Sequence, residues 1–242
     1  MERPVFSNSF EMVMFHVGND GDEEKFMVHR EHVCSYSPVL KAAFNSSFVE
    51  GQTQSYRLDD IRPDSFRLFV QWLYTQGFCI LDEISLAGAE PTSEMALTTT
   101  RLCQERDLNI IQLWLLADKF LIPRLQNDAM KHFVKILENQ NYKHKGIYRS
   151  THWIPYVYAE GRTTLDSPLR HLAVDLCLYS TSSSWSNAHP DHFPHQMLME
   201  LNSQIILSRE TGYPDGRHYR HIRPDRNYLV VEDKPQCKEA KH

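Results

Sequence analysis

Apolar and polar positions alternate at the start of the chain. In FEMVMFHV (10–17), Val13, Phe15 and Val17 fall on one face, and a second short apolar run, KFMV, occupies 25–28. Between them lies GNDGDEE, with Gly18, Asn19, Asp20 and Gly21. Two apolar runs around such a turn predict a β-hairpin. The period then changes. Ser37 followed by Pro38 reads as an N-cap and a proline at the first helical position, and Leu40, Ala43 and Phe44 recur at helical spacing. SYRL (55–58) is strand-like. From Pro63, PDSFRLFVQWLYT sets Phe66, Phe69, Val70 and Leu73 at i, i+3, i+4, i+7, the clearest helical stripe in the chain.

Residues 82–106 have weak periodicity and read as a long loop, with at most a marginal strand. A helix resumes at Leu108 with Leu113, Leu116, Ala117 and Phe120 on one side. Pro123 starts another, carrying Leu125, Ala129, Phe133, Ile136 and Leu137. The polar stretch NQNYKHKG (139–146) reads as a boundary. Beyond it, Ser167 and Pro168 open a further helix with Leu169, Leu172, Ala173 and Leu176 along one stripe. SSSWSNAHPDHFP (182–194) reads as a loop, and 196–207 place Leu198, Leu201 and Ile205 at helical spacing. Residues 209–242 show almost no apolar clustering and are expected to be disordered.

Composition narrows the function classes. The chain has 242 residues, is 41% hydrophobic and 24% charged, and carries a net charge of −5. Phosphate recognition needs concentrated positive charge, so neither nucleic acid nor an anionic membrane is an expected partner. The five cysteines include no C-x-x-C pair, which leaves neither a disulfide framework nor a structural zinc site to expect. Cys34, Cys79 and Cys177 lie within or beside apolar segments and read as small buried hydrophobes. The start, Met1-Glu2-Arg3-Pro4, lacks the apolar core of a signal peptide, and no apolar run approaches the roughly 18 residues that span a bilayer. Cytosol or nucleus is the expected location.

Residues 24–75 resemble a BTB/POZ core. The resemblance is carried in order by Phe26, His29, Val33, Ser37, Phe44, Glu50, Leu58, Asp60, Phe66, Leu73 and Tyr74. LWLLADKFLIPRLQNDAM (113–130) is similar to that family's "L-A-D-x-F" helix pair at Leu116, Ala117, Asp118, Phe120 and Leu125. A tail pattern, Tyr158, Ala159, Gly161, Ser167, Pro168, Leu169, Arg170, Leu172, Val174 and Asp175, further resembles the short BTB proteins of filamentous fungi. The resemblance implies an α/β fold of the BTB kind over 8–139: a small three-stranded sheet capped by a helical cluster. A helical extension over 147–208 packs on it, with the tail of 209–242 beyond. Glu11 stands where the family commonly has aspartate. Only nine residues precede Phe10, leaving no room for the N-terminal helix of swapped dimers, so a monomer or weak dimer is expected.

The resemblance also marks a candidate site. In BTB adaptors that recruit cullin-type ubiquitin ligases, the loop after the Leu40/Phe44 helix carries an apolar residue, any residue, then glutamate. Phe48, Val49 and Glu50 match it. An exposed phenylalanine can anchor in a partner's pocket while a carboxylate fixes register. The competing reading is that Phe48 packs on its own domain. His29 reads as structural, its ring bonded to a backbone group. His189, His192 and His195 could gather a metal, although Pro190 and Pro194 prevent a regular helix through them. Arg217, Arg220, Arg223 and Arg226 recur every third residue and suit an acidic partner, a weak nuclear signal or a solvated tail.

No G-x-S-x-G, P-loop, H-E-x-x-H or G-x-G-x-x-G motif occurs, so no residue anchors an enzymatic reading, and no cofactor is expected. The reading is a protein-interaction adaptor, its leading version bringing a substrate to a cullin-type ligase. The alternatives are a BTB scaffold or transcription-related interaction protein that meets no cullin, and, from another class, a metal-dependent enzyme centred on 189–195.

Overall fold

The computed structural model describes residues 8, 10–19, 21–78, 93–143, 150–210 and 228–232. They fall into two compact units. The sheet unit comprises Met1–Phe78, Leu116–Gln126 and Val230–His242; the helical unit comprises Cys79–Leu115 and Asn127–Leu229.

In the sheet unit the expected hairpin forms. β1 (Met12–Val17) pairs antiparallel with β2 (Glu24–His29), in a register that sets Phe15 opposite Phe26. Gly18 makes the turn possible: its φ is +99°, and a Cβ there would lie 2.4 Å from the Asp22 carbonyl oxygen. β3 (Ser55–Leu58) joins β1 in parallel on the other side, giving the order β2-β1-β3. Because side chains alternate along a strand, Val13, Phe15 and Val17 all face inward and are fully buried. Among the described residues, α1 (Arg30–Tyr36), α2 (Pro38–Phe44), α3 (Val49–Thr53) and α4 (Pro63–Thr75) accompany the sheet. Phe66 and Phe69 of α4 are buried, with the Phe66 ring 4.9 Å from that of Phe15.

Ser37 caps α2 as expected, its Oγ accepting from the Leu40 N–H at 3.0 Å. The same hydroxyl donates to the Phe120 carbonyl at 2.7 Å, and the Phe120 ring packs 5.7 Å from Phe69. Residues 116–126 thus complete this unit's core with Leu116, Ala117, Phe120, Ile122 and Leu125, all buried.

α5 runs from Ser93 to Lys119, so the expectation of a loop through 106 is corrected over 93–106. Its inward positions there include Cys103 and Asp107, followed by Ile110. A small thiol and a carboxylate do not register as an apolar stripe, although the spacing is helical. α6 (Pro123–Lys143) starts at its proline as expected and continues into the stretch read as a boundary.

The helical unit continues with α7 (Ile154–Tyr158) and α8 (Pro168–Ser180), whose stripe of Leu169, Leu172, Ala173 and Leu176 is buried as expected. Residues 182–194 are not simply a loop. Ser182 caps a short α9 (Ser183–Ala188) by accepting from the Trp185 N–H, and Pro190–His192 form a 3-10 turn. α10 (His195–Glu210) forms where expected but turns a different face inward: Met197 is buried, while Leu198 and Ile205 are exposed. The cause is polar. Glu200 of α10 accepts from the Tyr158 hydroxyl at 2.5 Å and pairs with the buried Arg170 at 3.2 Å, which fixes the helix about its axis. Within the tail, Tyr228 is among the described residues. That ring is 2% exposed and its hydroxyl donates to Asp175 Oδ2.

Candidate functional site

The Phe48 loop is built on a frame that leaves its apolar residues outside. α2 ends at Phe44, a core residue whose ring stands edge-on to Phe15 at 5.9 Å. The chain then reverses through Asn45, Ser46 and Ser47 into α3. Each step is tied down. Asn45 Nδ2 donates to the Lys41 carbonyl at 2.6 Å, and Ser46 Oγ donates to the Ala43 carbonyl at 2.7 Å while accepting from the Phe48 N–H at 3.2 Å. Gln52 Nε2 closes on the Ser47 carbonyl at 2.8 Å, and Gln54 Nε2 on that of Gly51 at 2.6 Å.

Two residues the sequence did not single out hold the frame. At Gly51 a Cβ would stand 1.9 Å from the Ser46 carbonyl oxygen, so no side chain fits between the two limbs of the turn. Arg30 of α1 donates to Asn45 Oδ1 at 2.7 Å and the Phe44 carbonyl at 3.3 Å, and pairs with Glu11 at 3.1 Å. Glu11, conspicuous as a departure from the family's aspartate, therefore buttresses the loop through Arg30. A lone glycine inside a polar turn was the available signal for Gly51. Nothing in local sequence pairs residue 11 with residue 45.

On this frame Phe48 is 74% exposed and Val49 70% exposed, whereas Phe44, four residues earlier, is 1% exposed. The reading in which Phe48 belongs to its own core is corrected: with the turn closed at Gly51, its ring points into solvent. Glu50 follows in the first turn of α3, half-buried. The three candidate residues are thus adjacent, two of them apolar and solvent-facing, on a segment held by hydrogen bonds within the turn and from Arg30.

Residues 6–90 match the family model of the BTB/POZ domain. The chain carries a BTB/POZ domain. No curated protein matches the chain. The matched segment includes all three strands and the Phe48 loop, and a BTB domain is a protein-interaction module. Among the described residues no helix is long and apolar enough to cross a membrane.

The other candidates resolve differently. The His29 ring meets a side chain at the strand–helix junction. The Tyr74 hydroxyl accepts from the His29 N–H at 3.1 Å and donates to its Nδ1 at 2.8 Å, so one phenol satisfies both ends of the residue where β2 meets α1. His32 stacks on the same Tyr74 ring at 4.7 Å, and burial, with His29 nearby, pulls its imidazole below the usual range. Among the described residues no group of three or more histidine, cysteine or acidic side chains is arranged to hold a metal. His189 and His192 are ring-stacked at 5.0 Å, and His192 Nδ1 is engaged by Thr151 Oγ1 at 2.8 Å. His195 is exposed at the start of α10. Cys177 is buried, and burial pushes its thiol up to about 12, while Cys34 is half-buried. Cys79 and Arg217, Arg220, Arg223 and Arg226 lie outside the described residues.

Proposed function

We propose that the chain is a protein-interaction adaptor whose Phe48–Val49–Glu50 loop docks on a partner, and that the partner is a cullin-type scaffold of a ubiquitin ligase. The observation that carries this reading is the exposure of Phe48 and Val49 on a pre-organised turn. Two adjacent large apolar side chains held in solvent support a contact surface at this loop. A rigid loop also loses little conformational entropy on binding. Glu50 beside it supports a fixed register against a basic group.

The test is one variant and two measurements. Phe48→Ala is expected to weaken capture of a cullin N-terminal domain by about 2 kcal/mol or more, the range of an aromatic hot spot. It should leave the melting temperature within the small scatter of surface changes. Glu50→Ala is expected to cost less unless its carboxylate is desolvated in the complex. Capture unaltered by Phe48→Ala would sink the loop assignment and favour a scaffold that meets no cullin through this face.

A further inference from the structure

The histidines around residue 190 are absorbed neither by a metal nor by the adaptor reading, yet they are not a solvated loop. Within the helical unit they form one cluster with Thr151, His152 and Trp185. The Trp185 Nε1–H donates to Thr151 Oγ1 at 3.0 Å, which leaves the Thr151 hydroxyl proton to donate to His192 Nδ1 at 2.8 Å. Thr151 is fully buried, so this relay is its means of satisfying the hydroxyl. The Trp185 ring lies 4.1 Å from His189, His189 stacks on His192 at 5.0 Å, and His152 stands 6.5 Å from His192. His152 Nε2–H in turn donates to the Gln104 carbonyl at 2.9 Å.

We propose that His192, packed against His189 and His152, forms an acid-sensitive latch: the segment Ser183–His192 stays docked in the helical unit while the His192 ring is neutral and loosens when it takes a proton. Two physical consequences of that proton act together. His192 Nδ1 becomes a donor, so Thr151 Oγ1 receives two N–H groups and its own buried hydrogen loses its acceptor. The new cation also faces two other imidazoles within 6.5 Å.

The surrounding charges do not relieve this. Burial, His189 and His152 all lower the His192 pKa, and Asp191 alone opposes them. Burial lowers that of His152 against Asp107, with Arg106 lowering it further. Neither α7 (IPYVY) nor α9 (SSWSNA) carries a carboxylate or a cationic side chain. Both folded-state values lie below the unfolded imidazole's. The stability they allow is therefore full above the unfolded pKa of about 6.5 and is lost as pH falls through the folded values.

Hydrogen–deuterium exchange on the full chain tests the latch. Protection of amides 183–193, corrected for intrinsic exchange, is expected to fall about tenfold between about pH 7.5 and about pH 5.5, the change that one proton gives per pH unit. Amides of Phe66–Trp72 in α4, which contains no histidine, should change by less than about twofold over the same range. In His192→Asn the side-chain oxygen still accepts from Thr151 but cannot take a proton, and the segment should stay protected at the lower pH. Protection of 183–193 that holds in the wild-type chain, or that falls equally in His192→Asn, would overturn the proposal. Should that substitution loosen the segment already near neutral pH, the wild-type titration decides alone.

Discussion

The buried positions of the sheet unit are mostly rings and branched aliphatics: Val13, Phe15, Val17, Phe44, Phe66, Phe69 and Phe120. The interior of the helical unit is apolar as well, with Phe133 against Trp153 at 5.3 Å, but charged and polar groups thread it. Asp107 is wholly buried, held by Arg106 at 2.8 Å and by the Ser150 hydroxyl, while Trp153 Nε1 donates to the Ser150 carbonyl at 2.8 Å. Arg170 and Glu200, then Asp175 and Tyr228, repeat the arrangement. A core of rings tolerates exchange of one apolar shape for another. A core threaded by ion pairs makes each partner indispensable to the other, because removing one strands a charge away from water.

The largest expected effect follows from that contrast. Asp107→Ala should cost about 3–5 kcal/mol of stability, because the Arg106 guanidinium is left without its buried counter-ion. Leu40→Met, a buried change of similar volume in the sheet unit, should cost less than about 1.5 kcal/mol. Chemical denaturation of both variants checks the pair, and equal losses would erase the distinction between the units. Tyr228→Phe is intermediate. It removes a hydrogen bond from a half-buried Asp175 oxygen and should cost about 1 kcal/mol. Burial already raises the Asp175 pKa, and the Tyr228 hydrogen bond opposes that rise. Losing the hydroxyl should therefore raise it further, readable by carboxyl NMR titration. Smallest of all, Leu198→Gln on the exposed side of α10 should shift stability by no more than about 0.5 kcal/mol. Met197→Ala, one residue away, should cost about 2–5 kcal/mol. Similar melting of the two variants would show that Met197 does not mark the inward face of α10.

The same contrast explains what could be read from the chain. The sheet unit announces itself through Val13, Phe15 and Val17 in alternation and Phe66, Phe69 and Leu73 at helical spacing, because its core is apolar and apolar periodicity is local. In the helical unit the decisive contacts join Asp107 to Ser150, Tyr158 to Glu200 and Asp175 to Tyr228, pairs 43, 42 and 53 residues apart. No window of sequence contains both members. That is why the helix over 93–106, the inward face of α10 and the placement of Tyr228 escaped periodicity. At the Phe48 loop the apolar pair was legible, but its exposure was not. Exposure depends on Gly51 meeting Ser46 and on Glu11 reaching Asn45 through Arg30, which are three-dimensional facts.

The bond from Ser37 to the Phe120 carbonyl bears on how the molecule is made. A ribosome adds about 5–20 residues per second, so several seconds separate the emergence of α4 from that of Phe120. During that interval Phe69 and Tyr56, which in the finished protein lie 5.7 Å and 5.6 Å from the Phe120 ring, have no cover. The nascent sheet is then a sticky intermediate of the kind that chaperones hold. A fragment cut after residue 90 would stay in that state permanently, and expression of the domain alone should yield aggregate unless the chain is carried through Gln126.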